Sequence, residues 1–218
     1  MARKPADQSV NREAIIVAAA EVLQKNGYEA TTMKDIAAAV NLTAASLYHH
    51  FKNKDALLLA VLEVGLEYII QQTEPIAHSD LPTVEKLRRM IREHIVGLTQ
   101  NTAVGAAMVF EIRALMSVKA PYRNAHDDDK EAFETFIKRR DSFFLRRDQF
   151  ENLFRLVVRE GVDNGSFRTI DAAIFTKTLL GAHNWVGVWY RPTGRLSGEE
   201  IADVIADTML NGVITSRK

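Results

Sequence analysis

The sequence predicts an all-α protein, with a small three-helix unit at the N-terminus and a larger helical domain after it. Apolar residues recur at helical spacing along most of the chain, and no segment shows the alternation typical of a β-strand. Residues that start and stop helices stand at the ends of these segments. We expect the first domain to span residues 1–53 and the second to span 54–218.

Composition narrows the class of protein before any motif is considered. The 218 residues are 47% hydrophobic, and 28 basic side chains balance 28 acidic ones, so no net charge draws the chain toward nucleic acid or membranes. The absence of cysteine excludes disulfides and thiolate metal sites and fits a reducing compartment. Residues 1–10 do not resemble a signal peptide, and no stretch approaches a membrane span of roughly 20 apolar residues. We therefore expect a cytoplasmic protein without a membrane partner.

Capping residues mark the helices in chain order. Thr32 with Asp35 forms a capping box at the start of the second helix, and Ser197 with Glu200 does the same for the last. The expected helices are 11–26, 32–40, 43–50, one from 53, 84–99, a widely buried one at 102–118, a charged one from about 124 through 162, 171–190 and one from 197, with Pro75 and Pro82 bracketing a loop and a break at Pro121.

The second and third helices, separated by a short turn at Asn41, match the plan of a helix-turn-helix. Small side chains at the start of the third helix would let it enter a DNA major groove, where methyls meet thymine and hydroxyls meet base edges. Polar and aromatic groups nearby suit phosphate oxygens. The candidate DNA-contacting residues are Thr31, Thr32, Thr43, Ala44, Ala45, Ser46, Tyr48, His49 and Lys54. The alternatives are that the unit is only a packing module, and that Arg3 and Lys4 form either a basic arm or a disordered start.

Three segments of this unit resemble one known family. Residues 27–33, Ile36-Ala37 and 46–54 are similar, in sequence and in spacing, to the DNA-binding domain of the TetR family. Asn41 stands where that family usually carries glycine, and asparagine tolerates the left-handed conformation of such a turn. The resemblance implies a helix-turn-helix regulator that binds palindromic operator DNA as a homodimer and responds to a small-molecule effector.

The same resemblance implies that the two long helices before the last one form a four-helix bundle with a second copy of the chain. These helices would lie at about 148–162 and 172–190. The expected interface residues are Phe150, Phe154, Val157, Leu179, Leu180 and Val188. The alternative is that these apolar side chains form the core of their own chain, which they would do in part in either case.

The middle helices, from about residue 53 to 139, are expected on the same grounds to enclose a cavity for the effector. Polar or aromatic groups among apolar ones are the candidates for contact with it. They are His94, Phe110, Glu111, Arg113, Asn184, Trp185 and Trp189. A structural role, such as an ion pair or packing at a helix end, is the alternative for each of them.

The end of the penultimate helix carries a second resemblance. Residues 184–185, 189–192 and 194–197 are similar to the C-terminal segment of TetR-like regulators of fatty-acid, steroid and acyl-CoA degradation. This resemblance implies an acyl-CoA or another lipophilic carboxylic metabolite as effector. The basic residues that could meet coenzyme A phosphates, or simply form a solvated face, are Lys86, Arg88, Arg89 and Arg92. The alternative is a plain helix end, with a different hydrophobic or aromatic effector.

Catalytic motifs are missing from the sequence. It has no P-loop, no dinucleotide glycine fingerprint, no His-Glu-x-x-His and no Gly-x-Ser-x-Gly, so we expect no enzyme, no cofactor and no catalytic residue. The run Asp127-Asp128-Asp129 could bind a metal, but a charge cluster at a helix N-terminus is the preferred interpretation. A regulator that acts without ligand, through protein contact or as an activator also remains open. For a repressor, effector binding would shift the fourth helix, residues 54–72, and move the reading heads out of register.

Overall fold

A computed structural model describes residues 11–118 and 127–215. Within these ranges the chain forms ten helices and no β-strand, only an isolated antiparallel bridge between Phe167 and Ile214, so the all-α prediction is confirmed. The helices are α1 Arg12–Asn26, α2 Met33–Ala39, α3 Ala44–His50, α4 Lys54–Ala77, α5 Thr83–Gln100, α6 Thr102–Phe110, α7 Ile112–Met116, α8 Asp127–Asp163, α9 Ala172–Trp189 and α10 Gly198–Asn211. The sequence predictions that lie outside the described residues concern Arg3, Lys4, Pro121 and the helix start near 124.

Helices α1, α2 and α3 form the N-terminal three-helix unit, and its caps agree with the sequence. The Thr32 side chain accepts from the Asp35 N–H, and the Asp35 carboxylate accepts from the Thr32 N–H, so the predicted capping box is confirmed. Asn41 has a φ of 55°, the left-handed conformation expected of the turn between α2 and α3. The core of this unit consists of Ile15, Ile16, Leu23, Ile36, Leu47 and Phe51.

Helix α4 extends past the position at which the sequence predicted its end. Pro75 lies inside the helix, so the prediction that it borders a loop is wrong. Proline removes one helical hydrogen bond, but Pro75 is only two residues from the end of α4. Thr73 and Ala77 on either side of it are buried, so packing against the domain holds the last turn in place.

The length and composition of α4 alone would allow it to cross a membrane. The expectation that no stretch approaches such a length is therefore wrong by this measure. However, 56% of its most apolar window is buried inside the fold, which is the behaviour of a core helix.

The larger domain packs α4, α5, α6, α8, α9 and α10 around a shared apolar core. Helix α8 is continuous over 37 residues. The segment 102–118, expected to be one widely buried helix, is instead divided into α6 and α7 at Glu111. Ala106 and Leu115 are buried as expected, but Phe110 is 53% exposed, so the expected burial holds for only part of the segment. The division lets the Glu111 side chain reach the backbone of Tyr28 in the N-terminal unit.

The basic residues of α5 are all used within the protein. Their ion pairs are Lys86–Glu160, Arg88–Asp207, Arg89–Glu85 and Arg92–Asp203. Two of these pairs join α5 to α10 and one joins it to α8, and Lys86 is itself buried. Three of these side chains, Arg88, Arg89 and Arg92, stay partly exposed, which fits a solvated face, and contact with coenzyme A phosphates stays a prediction.

The acidic run at residues 127–129 coincides with the start of a helix, because α8 begins at Asp127. This position agrees with the preferred interpretation of a charge cluster at a helix N-terminus. In the part of the chain that the structure describes, no group of three or more His, Asp or Glu side chains could hold a metal ion.

Candidate effector cavity and DNA-reading helix

A cavity of about 360 Å³ lies between α4, α5, α6, α8 and α9. Small-molecule sites in proteins typically have volumes of roughly 300–1,000 Å³. The apolar part of its wall consists of Val64, Leu66, Ile69, Leu98, Val104, Met108, Phe150 and Leu180. Helices α4 and α6 approach closely at Gly65, where a Cβ would lie 2.5 Å from Cγ1 of Val104, so the wall requires glycine there. The cavity thus offers an apolar interior to a lipophilic group.

The exposed edge of the cavity is cationic. Arg147 on α8 and Lys177 on α9 line the cavity and are both solvent-exposed. Lys177 Nζ lies 3.1 Å from Oε1 of Glu151, and Glu151 also pairs with Arg155. Arg147 has no ion-pair partner among residues 11–118 and 127–215. The lining therefore has two cations, Arg147 and Lys177, and one carboxylate, Glu151, and this excess of positive charge would attract an anionic group.

Two histidines contact each other in the cavity wall. His94 on α5 lines the cavity and is 5% exposed, while His183 on α9 is fully buried. Their Nδ1 atoms lie 3.1 Å apart, at hydrogen-bonding distance. The Phe150 ring packs edge-on against His94 at 5.1 Å between centroids. Burial lowers the pKa of His94 to about 4, and burial together with the nearby His94 lowers the pKa of His183 well below its ordinary value, so both rings are neutral at neutral pH.

Two of the predicted effector-contacting residues, His94 and Asn184, line this cavity. The exposed candidates that lie outside its lining are Phe110, Arg113, Trp185 and Trp189. The polar lining residues that the sequence analysis missed are Tyr68, Asn101, Arg147, Glu151 and Lys177. No local sequence signal separates any of these five residues from its neighbours. The role of His94 and Asn184 in binding an effector stays a prediction.

Most of the predicted interface residues lie inside their own chain. Phe154, Val157 and Leu179 are 0% exposed, and Phe150 and Leu180 belong to the cavity lining. Val188 is half-buried. Helices α8 and α9 present other apolar side chains to solvent, which we call the outer face: Leu145, Leu156, Ile174, Trp185 and Trp189. The outer face is thus the apolar surface that these two helices expose, and contact of the predicted residues with a second copy stays a prediction.

Helix α3 has the surface expected of a DNA-reading helix. It exposes Ala45, Tyr48 and His49 and half-buries Ala44 and Ser46. Thr43 caps the helix, since its Oγ1 accepts from the Ser46 N–H at 3.0 Å. Small side chains near the N-terminal end of an exposed helix suit entry into a major groove. Contact of these residues with DNA stays a prediction.

Two of the predicted DNA-contacting residues, Lys54 and Thr31, donate from their side chains to main-chain carbonyl oxygens. Lys54 Nζ donates to the carbonyl oxygens of Tyr28 at 2.7 Å and Thr31 at 2.9 Å, and it lies 4.1 Å from the centre of the Tyr28 ring. Thr31 is 1% exposed, and its hydroxyl donates to the Gly27 carbonyl at 2.7 Å. Lys54 thus fastens the loop before α2 to the start of α4. Thr32, the cap of α2, is exposed.

Tyr28 connects the N-terminal unit to both sides of the larger domain. Its backbone N–H donates to Oε1 of Glu111 at 3.1 Å, and its hydroxyl donates to the Asp55 carboxylate. Burial raises the pKa of Glu111, while the hydrogen bond from Tyr28 opposes this shift. Asp55 lies in the first turn of α4, and Glu111 follows the last residue of α6. Helices α4 and α6, which approach each other at Gly65 in the cavity wall, are therefore both connected through hydrogen bonds to Tyr28 of the N-terminal unit.

A three-helix unit with an exposed, small-faced helix, joined to a helical domain that encloses a cavity, defines the class of ligand-responsive transcriptional regulators. Residues 15–61 match the family described as bacterial regulatory proteins, tetR family, and residues 137–213 match the tetracyclin repressor-like C-terminal domain. The two matches together span more than half of the chain. The protein belongs to the TetR family of transcriptional regulators, as the resemblance in its first helices indicated.

Three similar proteins cover nearly the whole chain. The transcriptional repressor KstR2 of Mycolicibacterium smegmatis is 25% identical over 214 residues, which are 98% of this chain and 95% of KstR2. The TetR-family regulator PfmR of Thermus thermophilus is 28% identical with a TM-score of 0.75, covering 90% of this chain and 97% of PfmR. AibR, solved in complex with isovaleryl coenzyme A and operator DNA, is 25% identical with a TM-score of 0.72, covering 93% of this chain and 97% of AibR.

Proposed function

We propose that this protein is a homodimeric transcriptional repressor that leaves its operator when an acyl-CoA, or another lipophilic carboxylic metabolite, occupies the cavity. The observation that carries the proposal is a cavity with an apolar interior and a cationic edge. A lipophilic tail suits the interior, and phosphate or carboxylate groups suit Arg147 and Lys177 at the edge. AibR, which this chain resembles along most of its length, is bound to isovaleryl coenzyme A and operator DNA in its structure.

We assign DNA reading to α3, in a DNA-binding domain that ends at residue 53, just before α4. The small residues of α3 would meet base edges, and its aromatic and imidazole groups would meet phosphates, together with the exposed helix caps. The assigned residues are Thr32, Thr43, Ala44, Ala45, Ser46, Tyr48 and His49. Lys54 and Thr31 are left out because their side chains donate to main-chain carbonyl oxygens and Thr31 is 1% exposed, whereas Thr32 and Thr43, whose hydroxyls cap helices, are exposed. Such a regulator would act on operator DNA in the cytoplasm.

We assign dimerisation to the outer face of α8 and α9. Single exposed apolar residues are ordinary on a protein surface, but five large ones on two adjacent helices indicate a covered surface. Two of the five are tryptophans, a residue type enriched at the centres of interfaces. A symmetric pair would hold two α3 helices one turn of DNA, or a multiple of it, apart, which matches a palindromic operator.

The effector signal would pass through the helices that line the cavity. Val104 and Met108 of α6 face the cavity, α6 also packs against α1, and Glu111 after α6 is bonded to Tyr28. Helix α4 also lines the cavity and begins at Lys54, which is bonded to the loop that contains Tyr28. An effector that separates α4 from α6 would move the N-terminal unit relative to the N-terminal unit of the second copy of the chain. A coupling of about 1–3 kcal/mol is typical of such linkage.

The test is fluorescence anisotropy with full-length protein and labelled DNA from upstream of its own gene, at near-physiological salt, with and without a panel of acyl-CoA esters. We expect specific binding that one class of ester abolishes. If no ester changes the specific binding, the assignment of DNA binding stands but the acyl-CoA assignment is overturned. Another hydrophobic or aromatic effector, or repression without ligand, would then be favoured. Tyr48→Ala should weaken binding, whereas His78→Ala, exposed at the opposite end of α4, should not. Equal binding by both variants would contradict the assignment of α3.

A further inference from the structure

The hydrogen bond between His94 and His183 constrains all four ring nitrogens. Each neutral imidazole carries one N–H and one bare nitrogen, so one Nδ1 donates to the other. His183 Nε2 is fully buried and has no hydrogen-bond partner. His94 Nε2 also has no partner among the described residues, but it is not one of the sealed atoms, and His94 lines the cavity. The nitrogen that remains available therefore opens toward the cavity.

The sealed nitrogen of His183 decides which ring donates. If His94 donated, His183 would carry its proton on Nε2, and a buried N–H would have no acceptor. If His183 donates, its sealed Nε2 is a bare lone pair. Orphaned buried N–H groups are rarer in proteins than unsatisfied acceptors. His183 therefore carries its proton on Nδ1 and donates it to His94, which places the proton of His94 on Nε2, facing the cavity.

The donor that faces the cavity is neutral. Burial holds both rings in the uncharged form, and the aromatic rings of Phe150 and Phe154 pack around them. Glu151, the carboxylate in the cavity lining, is already paired with Lys177 and Arg155. A ligand carboxylate buried beside a neutral imidazole would lack a counter-charge, which is costly, whereas an uncharged carbonyl oxygen needs only one donor.

We propose that His94, held in its tautomer by His183, donates a hydrogen bond from Nε2 to an uncharged carbonyl oxygen of the effector, such as the thioester or a ketone. The proposal rests on the proposed function only in that the cavity is the effector site. It assigns the two ends of the ligand separately: the anionic part lies at the edge with Arg147 and Lys177, and the buried part carries a neutral acceptor. His183 acts as a positioning residue.

The first experiment observes the protons without any ligand. Full-length protein labelled with ¹⁵N-histidine is studied by long-range ¹H–¹⁵N correlation at pH 7, with His94→Gln and His183→Leu used to assign two of the six histidines. We expect His94 with its proton on Nε2 and His183 with its proton on Nδ1. A proton on Nδ1 of His94, or a charged ring, overturns the proposal. In His183→Leu the remaining His94 should show a mixture of tautomers.

The second experiment removes the carbonyl from the ligand. Calorimetry compares an acyl-CoA with the S-alkyl-CoA of the same chain length, which differs only in lacking the thioester oxygen. We expect the parent protein to bind the thioester roughly tenfold more tightly, because the thioether leaves the His94 N–H unpaired. Equal affinity would overturn the role of His94 and leave the acyl-CoA function standing.

Variants separate recognition from packing. In His94→Leu the preference for the thioester over the thioether should fall to about one, while His94→Gln, whose amide can still donate, should keep part of it. His183→Leu should reduce the preference without removing it. Circular dichroism and urea unfolding check that each variant is folded. A preference that survives in folded His94→Leu overturns the proposal.

Failure of the proposed function leaves a different pattern. If no acyl-CoA binds, that function is wrong, and the same comparison is made with an aliphatic methyl ketone and the matching alkane. A preference for the ketone that His94→Leu abolishes supports the role of His94 in a cavity for another class of effector. Equal affinity, or binding of neither compound, overturns it.

Discussion

The N-terminal unit and the cavity wall use their polar groups in opposite ways. In the N-terminal unit the Thr31 hydroxyl and the capping box at Thr32 bond to the chain itself, and the Lys54 ammonium at the start of α4 donates to two carbonyl oxygens of that unit. Around the cavity, His94 Nε2 and the Arg147 guanidinium have no partner in the described part of the chain. Voids and unpaired buried groups cost stability that a filled core would keep. The contrast indicates that the N-terminal unit is rigid, whereas the polar groups of the cavity wall gain partners when an effector binds.

Low pH should reduce the free energy of unfolding mainly through the two buried histidines of the cavity wall, His94 and His183. The lowered pKa values of His94 and His183 mean that, as pH falls from 6.5 toward 4, the unfolded chain takes up protons that the folded chain refuses. The free energy of unfolding should therefore be greatest above pH 6.5 and fall by up to about 1.4 kcal/mol per pH unit for each histidine. Urea titrations at pH 7.0, 6.0 and 5.0 measure the slope.

A variant identifies the source of that slope. His94→Leu should flatten it by about one proton, while the exposed His78→Leu should leave it unchanged. A slope that is the same in both variants and in the parent protein would show that the buried pair does not set the acid sensitivity.

A charge on the exposed side of α3 should stop DNA binding without affecting the cavity. Ala45→Glu would place a carboxylate against the phosphates and base edges of the operator, and like-charge contacts cost several kcal/mol. We expect a loss of operator affinity of roughly a hundredfold or more, measured by anisotropy at fixed salt. Val204→Glu, on an exposed position of α10, is the matched control and should bind as the parent does. A wild-type affinity for Ala45→Glu would place DNA reading on another surface.

The cationic edge should matter for the ligand and not for the operator. Arg147→Ala should weaken acyl-CoA binding by about tenfold, because an arginine–phosphate pair at a partly exposed site contributes on the order of 1.4 kcal/mol. Its neighbour Arg146 pairs with Glu67 and does not line the cavity, so Arg146→Ala serves as control. Calorimetry with the same ester decides the point. Equal losses in both variants would mean that the edge provides no specific phosphate contact.

The sequence predicts the N-terminal unit better than the cavity because the relevant signals differ in range. The capping box at Thr32 and the left-handed turn at Asn41 are set by neighbours within a few positions, so both could be found in the sequence. The end of α4 could not, because buried contacts beyond Pro75 outweigh the local effect of proline.

The cavity depends on contacts that no local pattern encodes. His94 and His183 are 89 positions apart, and only the packing of α5 against α9 makes them a pair. The same holds for Phe150 and Leu180, whose helical spacing predicted burial but not whether their own chain or a second copy would bury them. Periodicity shows which side of a helix is apolar, while the neighbouring helices determine what covers it.

Glu111 tests whether the two regions communicate through Tyr28. Glu111→Ala removes the acceptor of the Tyr28 N–H and leaves the cavity lining intact, because Glu111 lies outside it. We expect the affinity for an effector to be unchanged but the effector-induced loss of operator affinity to fall by about fivefold, which is roughly 1 kcal/mol of coupling. Glu29→Ala, a nearby exposed carboxylate, is the control. If Glu111→Ala released its operator as readily as the parent protein, the signal would have to pass through α4 and Lys54 alone, and the hydrogen bond to Tyr28 would be only a structural contact.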